Sequence, residues 1–294
     1  MHYTGTIWRP PYEAYSLLIQ VTAGCTHHSC KFCTLYEDLP FKFKMSPISE
    51  VEEDLAETSR FYKNVPRIFF TGVNPFVLST NKLQALAQLV KKYYPNYETI
   101  GCFARVTDIR SKSVEELKKL HSLGYDGITI GVETGDDEAL AFMNKGYQSK
   151  DIIEQCRKLE EAGISYDFFY LTGISGAGRG ELGAKETAKI FNQLHPQVID
   201  ASMLTICENS ELYKEILAGN WKEENEIEKL IEMKTLIENL TINCRFATDG
   251  VSNLIQVRGN LPEDKKSLVK FLEHQIANLD ENMLREYRTN LTHL

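Results

Sequence analysis

Six short apolar runs, each followed by an amphipathic stretch of helical period, restrict this chain to very few architectures. The runs lie at residues 16–21, 67–71, 98–104, 127–133, 166–172 and 198–206. They are rich in Ile, Val, Phe, Leu and Tyr and bounded by Gly, Pro or Asp, the pattern of strands buried in a parallel sheet. Helix signals fall between them. Ser46-Pro47 sets an N-cap and a first-turn proline before Val51, Leu55 and Thr58. Ser113-Val114-Glu115-Glu116 is a capping box ahead of Leu117, Leu120 and Leu123, with Gly124 as its stop. Periodic stretches at 151–162 and 181–194 end at Gly163 and before Pro196. The strands begin roughly 30 to 50 residues apart, near or above one βαβ unit. Parallel neighbours joined by helices follow.

Six such units suit a partial or complete barrel, or a doubly wound open sheet. The fold expected is α/β, a partial (β/α)6 TIM-like barrel with a mostly helical C-terminal extension. Residues 1–14 form an N-terminal arm, 15–206 the core, and 207–294 a cap with helices near 210–219, 221–240, 262–278 and 281–289. Short extended segments are expected at 241–248 and 254–257. In either arrangement ligands gather at the carboxyl ends of the strands.

The 294 residues are 43% hydrophobic and 25% charged, enough apolar content for a sizeable core. A formal charge of -8 does not favour nucleic acid as the main partner. The N-terminus has no basic region followed by an apolar run, and the apolar stretch at 15–21 is too short to span a bilayer. A cytoplasmic location without membrane contact is expected. Seven cysteines with no secretion signal then read as metal ligands or thiols rather than a disulfide framework.

Three of the seven, Cys25, Cys30 and Cys33, lie within nine residues, just after the first strand and so at the ligand-binding end. Thiolates favour soft metals, and three can serve three irons of a cubane while leaving the fourth open. Phe32 would shield such a cluster from water, and Gly24 would let the backbone bend beside it. A structural zinc loop is the competing reading, although zinc usually takes a second ligand pair. The scattered Cys102, Cys156 and Cys207 are expected in the core. His121 and His195 read as structural, and Cys244 as a thiol whose reactivity nothing but its identity supports.

Cys25-x4-Cys30-x2-Cys33, with an aromatic before the last cysteine, resembles the radical S-adenosylmethionine (SAM) superfamily, in an elongator-type or uncharacterised branch. The common spacing there is Cys-x3-Cys-x2-Cys, so this chain carries one extra residue in the first gap. The resemblance implies a [4Fe-4S] cluster on the three cysteines and SAM on its open iron. It extends to Thr71-Gly72-Val73-Asn74-Pro75, where relatives carry a Gly-Gly-Glu-like motif against the SAM amino group; Thr71 and Gly72 are carried over on that basis. Gly131-Val132-Glu133-Thr134-Gly135 is similar to a strand end whose glutamate bonds the SAM ribose, which points to Glu133; a helix N-cap role near Asp136 is the alternative. Met143-Asn144-Lys145-Gly146-Tyr147 looks like the linker that follows, and Arg157 sits where some members pair with the SAM carboxylate. Surface pairing with Glu154 or Glu161 is the alternative for Arg157. The glycines at 173, 176 and 178 line either a ligand or a flexible turn.

That resemblance implies a reductive cleavage of SAM to methionine and a 5'-deoxyadenosyl radical, which takes a hydrogen atom from a substrate. It also implies a reductant such as flavodoxin or ferredoxin. The substrate is not legible, and no catalytic residue is assigned beyond the cofactor set. Lys42 and Lys44 read as a solvated loop rather than an anion site. Two other classes compete: a non-catalytic iron–sulfur electron-transfer module and a zinc-structured nucleic-acid-binding protein.

Overall fold

The computed structural model describes residues 1–291, so the last three residues of the expected cap lie outside the described residues. In chain order the elements are β1 (Leu17–Gln20), β2 (Thr22–Gly24), β3 (Phe43–Met45), α1 (Ile48–Phe61), β4 (Arg67–Thr71), α2 (Thr80–Tyr93), β5 (Thr99–Ala104), α3 (Val106–Arg110), α4 (Val114–Ser122) and β6 (Tyr125–Glu133). There follow α5 (Asp137–Phe142), α6 (Ser149–Ala162), β7 (Tyr166–Thr172), α7 (Gly180–Phe191), β8 (Val198–Met203), α8 (Glu211–Leu217), α9 (Glu226–Asn239), β9 (Cys244–Ala247), β10 (Arg258–Leu261), α10 (Lys265–Asn278) and α11 (Glu281–Thr289). The chain divides into two compact units. One holds Met1–His28, Leu35–Gly131 and Gln155–Tyr166, the other Ser29–Thr34, Val132–Glu154 and Asp167–Leu294.

In the first unit β1, β4, β5 and β6 pair in that order, all parallel. β4 is Arg-Ile-Phe-Phe-Thr with four of its five residues buried, because helices cover both faces of a parallel strand. Val51 and Leu55 of α1 and Leu83, Leu86 and Val90 of α2 are the apolar stripes that do so. The capping box of α4 forms as expected, with Ser113 Oγ accepting from the Glu116 N–H and Glu116 accepting from the Ser113 N–H. At the amino end of β4, Arg67 donates to the buried Glu13 and to the carbonyls of Asp126 and Gly127, a closure that serves stability.

α1 starts one residue later than its N-cap signal indicates, with Pro47 in the cap position and no side-chain cap. The Ser46 N–H instead donates to the Val21 carbonyl at 2.9 Å, which draws that residue into the antiparallel pairing of β2 with β3.

In the second unit β7, β8 and β9 pair parallel, and β10 pairs antiparallel to β9. α7 and α9 bury Ala184, Phe191, Leu230, Met233 and Leu236, and Phe168 stacks on Phe191 with ring centroids 4.7 Å apart. The extension therefore supplies strands as well as helices. The extended segment expected at 254–257 is a turn tied by Thr248 Oγ1, which accepts from the Val257 N–H, and strand pairing begins only at Arg258. The fold is α/β, a partial TIM-like barrel in which strands follow one another in chain order. Among the described residues no helix is long and apolar enough to cross a membrane.

Candidate metal centre

The first unit builds the approach to Cys25. β2 ends at Gly24, whose φ of 74° and whose lack of a side chain are both required: a Cβ there would lie 2.1 Å from the Lys42 carbonyl oxygen. That same oxygen accepts the Cys25 N–H at 2.7 Å. The next residue is held by Asn74, which is fully buried and donates through Nδ2 to Thr26 Oγ1 (2.8 Å) and Asp108 Oδ2 (3.1 Å). Asp108 also accepts the Arg105 N–H at 2.8 Å. Burial raises the Asp108 carboxyl above its ordinary range, against those two donors. Behind it, burial lowers Lys112 to about 8, and its ammonium donates to the Phe76 carbonyl at 2.6 Å.

The motif after β4 thus has a structural role that its sequence did not announce. Gly72 (φ 125°) brings the end of β4 against Thr22, where a Cβ would stand 2.1 Å from Thr22 Oγ1. Thr71 is buried, with its hydroxyl donating to the Trp8 carbonyl at 2.7 Å and its carbonyl accepting the Val21 N–H. Its side chain is committed within the protein, so a contact from this segment to a ligand falls to backbone at Gly72. Asn74, two residues on, went unassigned in the sequence reading; its place beside the expected turn was the only local signal.

The second unit holds the rest of the loop. Asn144 Nδ2 donates to the Ser29 carbonyl (3.0 Å), the Lys31 N–H to the Met143 carbonyl (3.1 Å), and the Leu212 N–H to the Lys31 carbonyl (2.7 Å). Lys31 pairs with Glu215 at 2.6 Å. The Cys33 N–H donates to the Cys30 carbonyl at 3.1 Å, a turn that sets the two thiols on one tight bend. Between them in sequence, Phe32 packs on the buried cluster of Met143, Ile174, Leu204 and Leu212. Cys25, Cys30 and Cys33 are each half-buried, and no disulfide involves any of the seven cysteines.

Glu133 ends β6 with φ 62°, a left-handed conformation that a side-chain-bearing residue adopts only where the surroundings hold it. The side chain it faces is Lys145. Its Nζ donates to Glu133 Oε1 at 3.0 Å, and its ammonium lies 5.7 Å from both the Phe32 and Tyr147 rings. Lys145 is nearly inaccessible, at 5% exposure. Burial works most strongly against its charge, but the Glu133 carboxylate together with neighbouring Tyr147 and Cys30 holds the ammonium above its ordinary value. In sequence Lys145 stands within the linker motif, with nothing local to mark its partner. Arg157 lies on an exposed face of α6.

Two of the three late glycines make room for protein groups. A Cβ at Gly173 would meet Lys229 Cε at 2.9 Å, and one at Gly176 would meet Trp221 at 2.7 Å. Cys102 and Cys156 are core residues whose thiols burial raises. Cys244 is buried and pushed up to about 12, which keeps it an unreactive thiol. Cys207 corrects the expectation: it lies beyond β8, half-buried at the edge of a cavity, because β8 stops at Met203 and the chain turns there.

Among the described residues no group of three or more His, Cys, Asp or Glu side chains surrounds the position of a single metal ion. Thiolates on a cubane bind different irons and need not converge on one point. The donor set, three half-buried thiols on a loop pinned by backbone hydrogen bonds, suits such a cluster.

Comparison with known proteins bears on the same segment. The tRNA uridine(34) acetyltransferase of Methanocaldococcus jannaschii is 24% identical over 146 residues, 48% of this chain, and the chain spans only 27% of that relative's length. The methyltransferase TsrM from Kitasatospora setae, solved with cobalamin and a [4Fe-4S] cluster bound, superposes with a TM-score of 0.57 at 17% identity, covering 69% of this chain and 39% of that one. Methylornithine synthase (PylB) superposes with a TM-score of 0.55 at 14% identity, covering 92% and 85%. The family model described as the radical SAM superfamily matches residues 19–182, from β1 through the cysteine loop to the start of α7, and by that match the chain belongs to the radical SAM superfamily.

Proposed function

We propose that the chain is a radical SAM enzyme with a [4Fe-4S] cluster on Cys25, Cys30 and Cys33, acting on a substrate not yet identified. The observation that carries this reading is the cysteine loop itself. It follows the first strand of a partial barrel and lies inside the matched family segment; Asn74 bonds Thr26, and residues 29 to 31 bond Met143, Asn144 and Leu212. Cys25, Cys30 and Cys33 would hold the cluster, which with SAM and one electron from an external donor would supply the chemistry of reductive carbon–sulfur cleavage and hydrogen-atom abstraction.

The protein's part is placement and exclusion. Gly24 and Gly72 clear backbone space, Phe32 walls the loop with apolar surface, and Glu133, fixed by Lys145, presents a carboxylate for the SAM ribose. Gly72 offers backbone to the SAM amino group. A one-electron donor of the flavodoxin or ferredoxin kind and a cytoplasmic location complete the reading.

Anaerobic reconstitution with iron and sulfide tests it. Wild-type protein should show the broad brown absorption of a cubane and hold about four irons per chain. Cys30→Ala should hold far less, and wild type with SAM and dithionite should yield 5'-deoxyadenosine. Colourless protein holding zinc would refute the cluster. A cluster that leaves SAM intact would favour the electron-transfer module.

A further inference from the structure

Beyond the carboxyl end of β8 the second unit lines a half-open cavity of about 680 Å³, within the range of small-molecule sites. Its wall includes Ile206, which packs on the same apolar cluster as Phe32 of the cysteine loop. The apolar cluster of Met143, Ile174, Leu204 and Leu212 is thus shared by a wall residue of the cavity and by Phe32 of the segment carrying Cys30 and Cys33.

Its charges do not balance. Lys222, Arg285 and Arg288 face Glu208 and Glu223, an excess of one cation on the wall, and the pair immediately behind, Lys229 and Glu226, leaves that excess unchanged. Arg288, 4% exposed, is saturated. Its Nε and Nη2 donate to Glu226, Nη2 also donates to Glu223, and Nη1 donates to the Leu204 carbonyl at 3.0 Å. Lys229 is fully buried and donates to Glu223 at 2.8 Å. These bonds use up both carboxylates. Burial works against the Glu223 charge, but Lys229 and Arg288 outweigh it and hold the carboxyl below its ordinary range.

Arg285 is different. It donates once, from Nη2 to Glu223 Oε2 at 2.7 Å, stands 3.6 Å from Glu226, and is 43% exposed on the cavity wall. A guanidinium has five N–H donors in a fork matched to an oxyanion, and most of this one's remain unused. The Thr205 hydroxyl, also on the wall, has no hydrogen-bond partner among the described residues.

We propose that this cavity takes the enzyme's substrate by an oxyanion, a carboxylate or a phosphate ester, gripped by Arg285 with Thr205 and Lys222 as further donors. The proposal rests on the radical SAM reading for its claim that the ligand is a substrate. Glu223 and Glu226 serve to position Arg285 and Arg288 rather than to bind.

Calorimetric titration of the anaerobically reconstituted full chain with inorganic phosphate and, separately, malonate tests it at constant ionic strength. At least one anion should bind saturably: phosphate preference indicates a phosphate ester, malonate preference a carboxylate. Arg285→Ala should weaken binding about tenfold or more, and Arg285→Lys should recover part of it. Circular dichroism and a thermal melt check that each variant is folded. If neither anion binds wild type, or if folded Arg285→Ala binds as wild type does, the site is wrong. Wild type that holds iron and makes 5'-deoxyadenosine but takes up neither anion overturns the site alone. Binding through Arg285 in a chain that holds no iron supports the site and overturns the radical SAM reading.

Discussion

Glu133→Gln separates two roles that one carboxylate is asked to fill. In the folded chain Glu133 Oε1 lies 3.0 Å from the Lys145 ammonium, with the side chains 17% and 5% exposed. Removing one partner of a fully buried pair costs about 3–5 kcal/mol, because the other charge is left desolvated. Glu133 keeps some water and a glutamine can still accept from Lys145, so about 2–3 kcal/mol is expected here. Lys145→Met leaves a carboxylate that water can reach, and should cost about 1–2 kcal/mol. The double variant leaves no stranded charge and should return to within about 1 kcal/mol of wild type. Urea unfolding of the four proteins, followed by circular dichroism, closes the cycle. A coupling energy under about 0.5 kcal/mol would sink the claim that the pair is a desolvated one. Equilibrium dialysis with SAM then reads the second role. If the carboxylate contacts the cofactor, both Glu133→Gln and the double variant should bind SAM about tenfold more weakly or worse. Wild-type affinity in the double variant would reduce Glu133 to a structural residue.

Two further outcomes follow from single positions. Asp200 is fully buried, one of its oxygens lacks a partner among the described residues, and burial raises it from 3.8 to about 7. An acid raised in the folded state contributes its stability in full below about 3.8 and loses it as pH rises through 7. The shift bounds that loss at about 4 kcal/mol. Urea midpoints should therefore fall between pH 5 and pH 8 in wild type and less steeply in Asp200→Asn; equal slopes would count against this account. Gly24→Ala sets a Cβ 2.1 Å from the Lys42 carbonyl in a left-handed backbone, so Cys25 must shift. Its iron content after reconstitution should drop with little change in circular dichroism, and full retention would show that the bend is dispensable.

Burial that repeats along the chain is legible residue by residue. Strands 67–71 and 166–172 and the helix 281–289 stand where their patterns put them, and so does the α4 capping box, since each depends on neighbours within a few positions. The three cysteines are legible for another reason: their spacing lies within one loop. The short β2–β3 pairing is not, because three-residue strands carry no period, and the chain between them is long. Nor is Thr71 legible as a residue turned inward on Trp8, for its partner lies 63 positions away.

So the chain's own order of residues established an α/β barrel of strands and helices and a thiolate loop at the ligand end of its first strand. Folding settled which charges meet. Lys145 reaches Glu133 across 12 residues, Asn74 reaches Thr26 across 48, and Arg288 reaches Glu226 across 62. Hydrophobic pattern specifies which face of an element is buried, but says little about which polar group waits at the end of another element. A buried charge or amide must find its partner in space, and only the packed chain fixes where that partner stands.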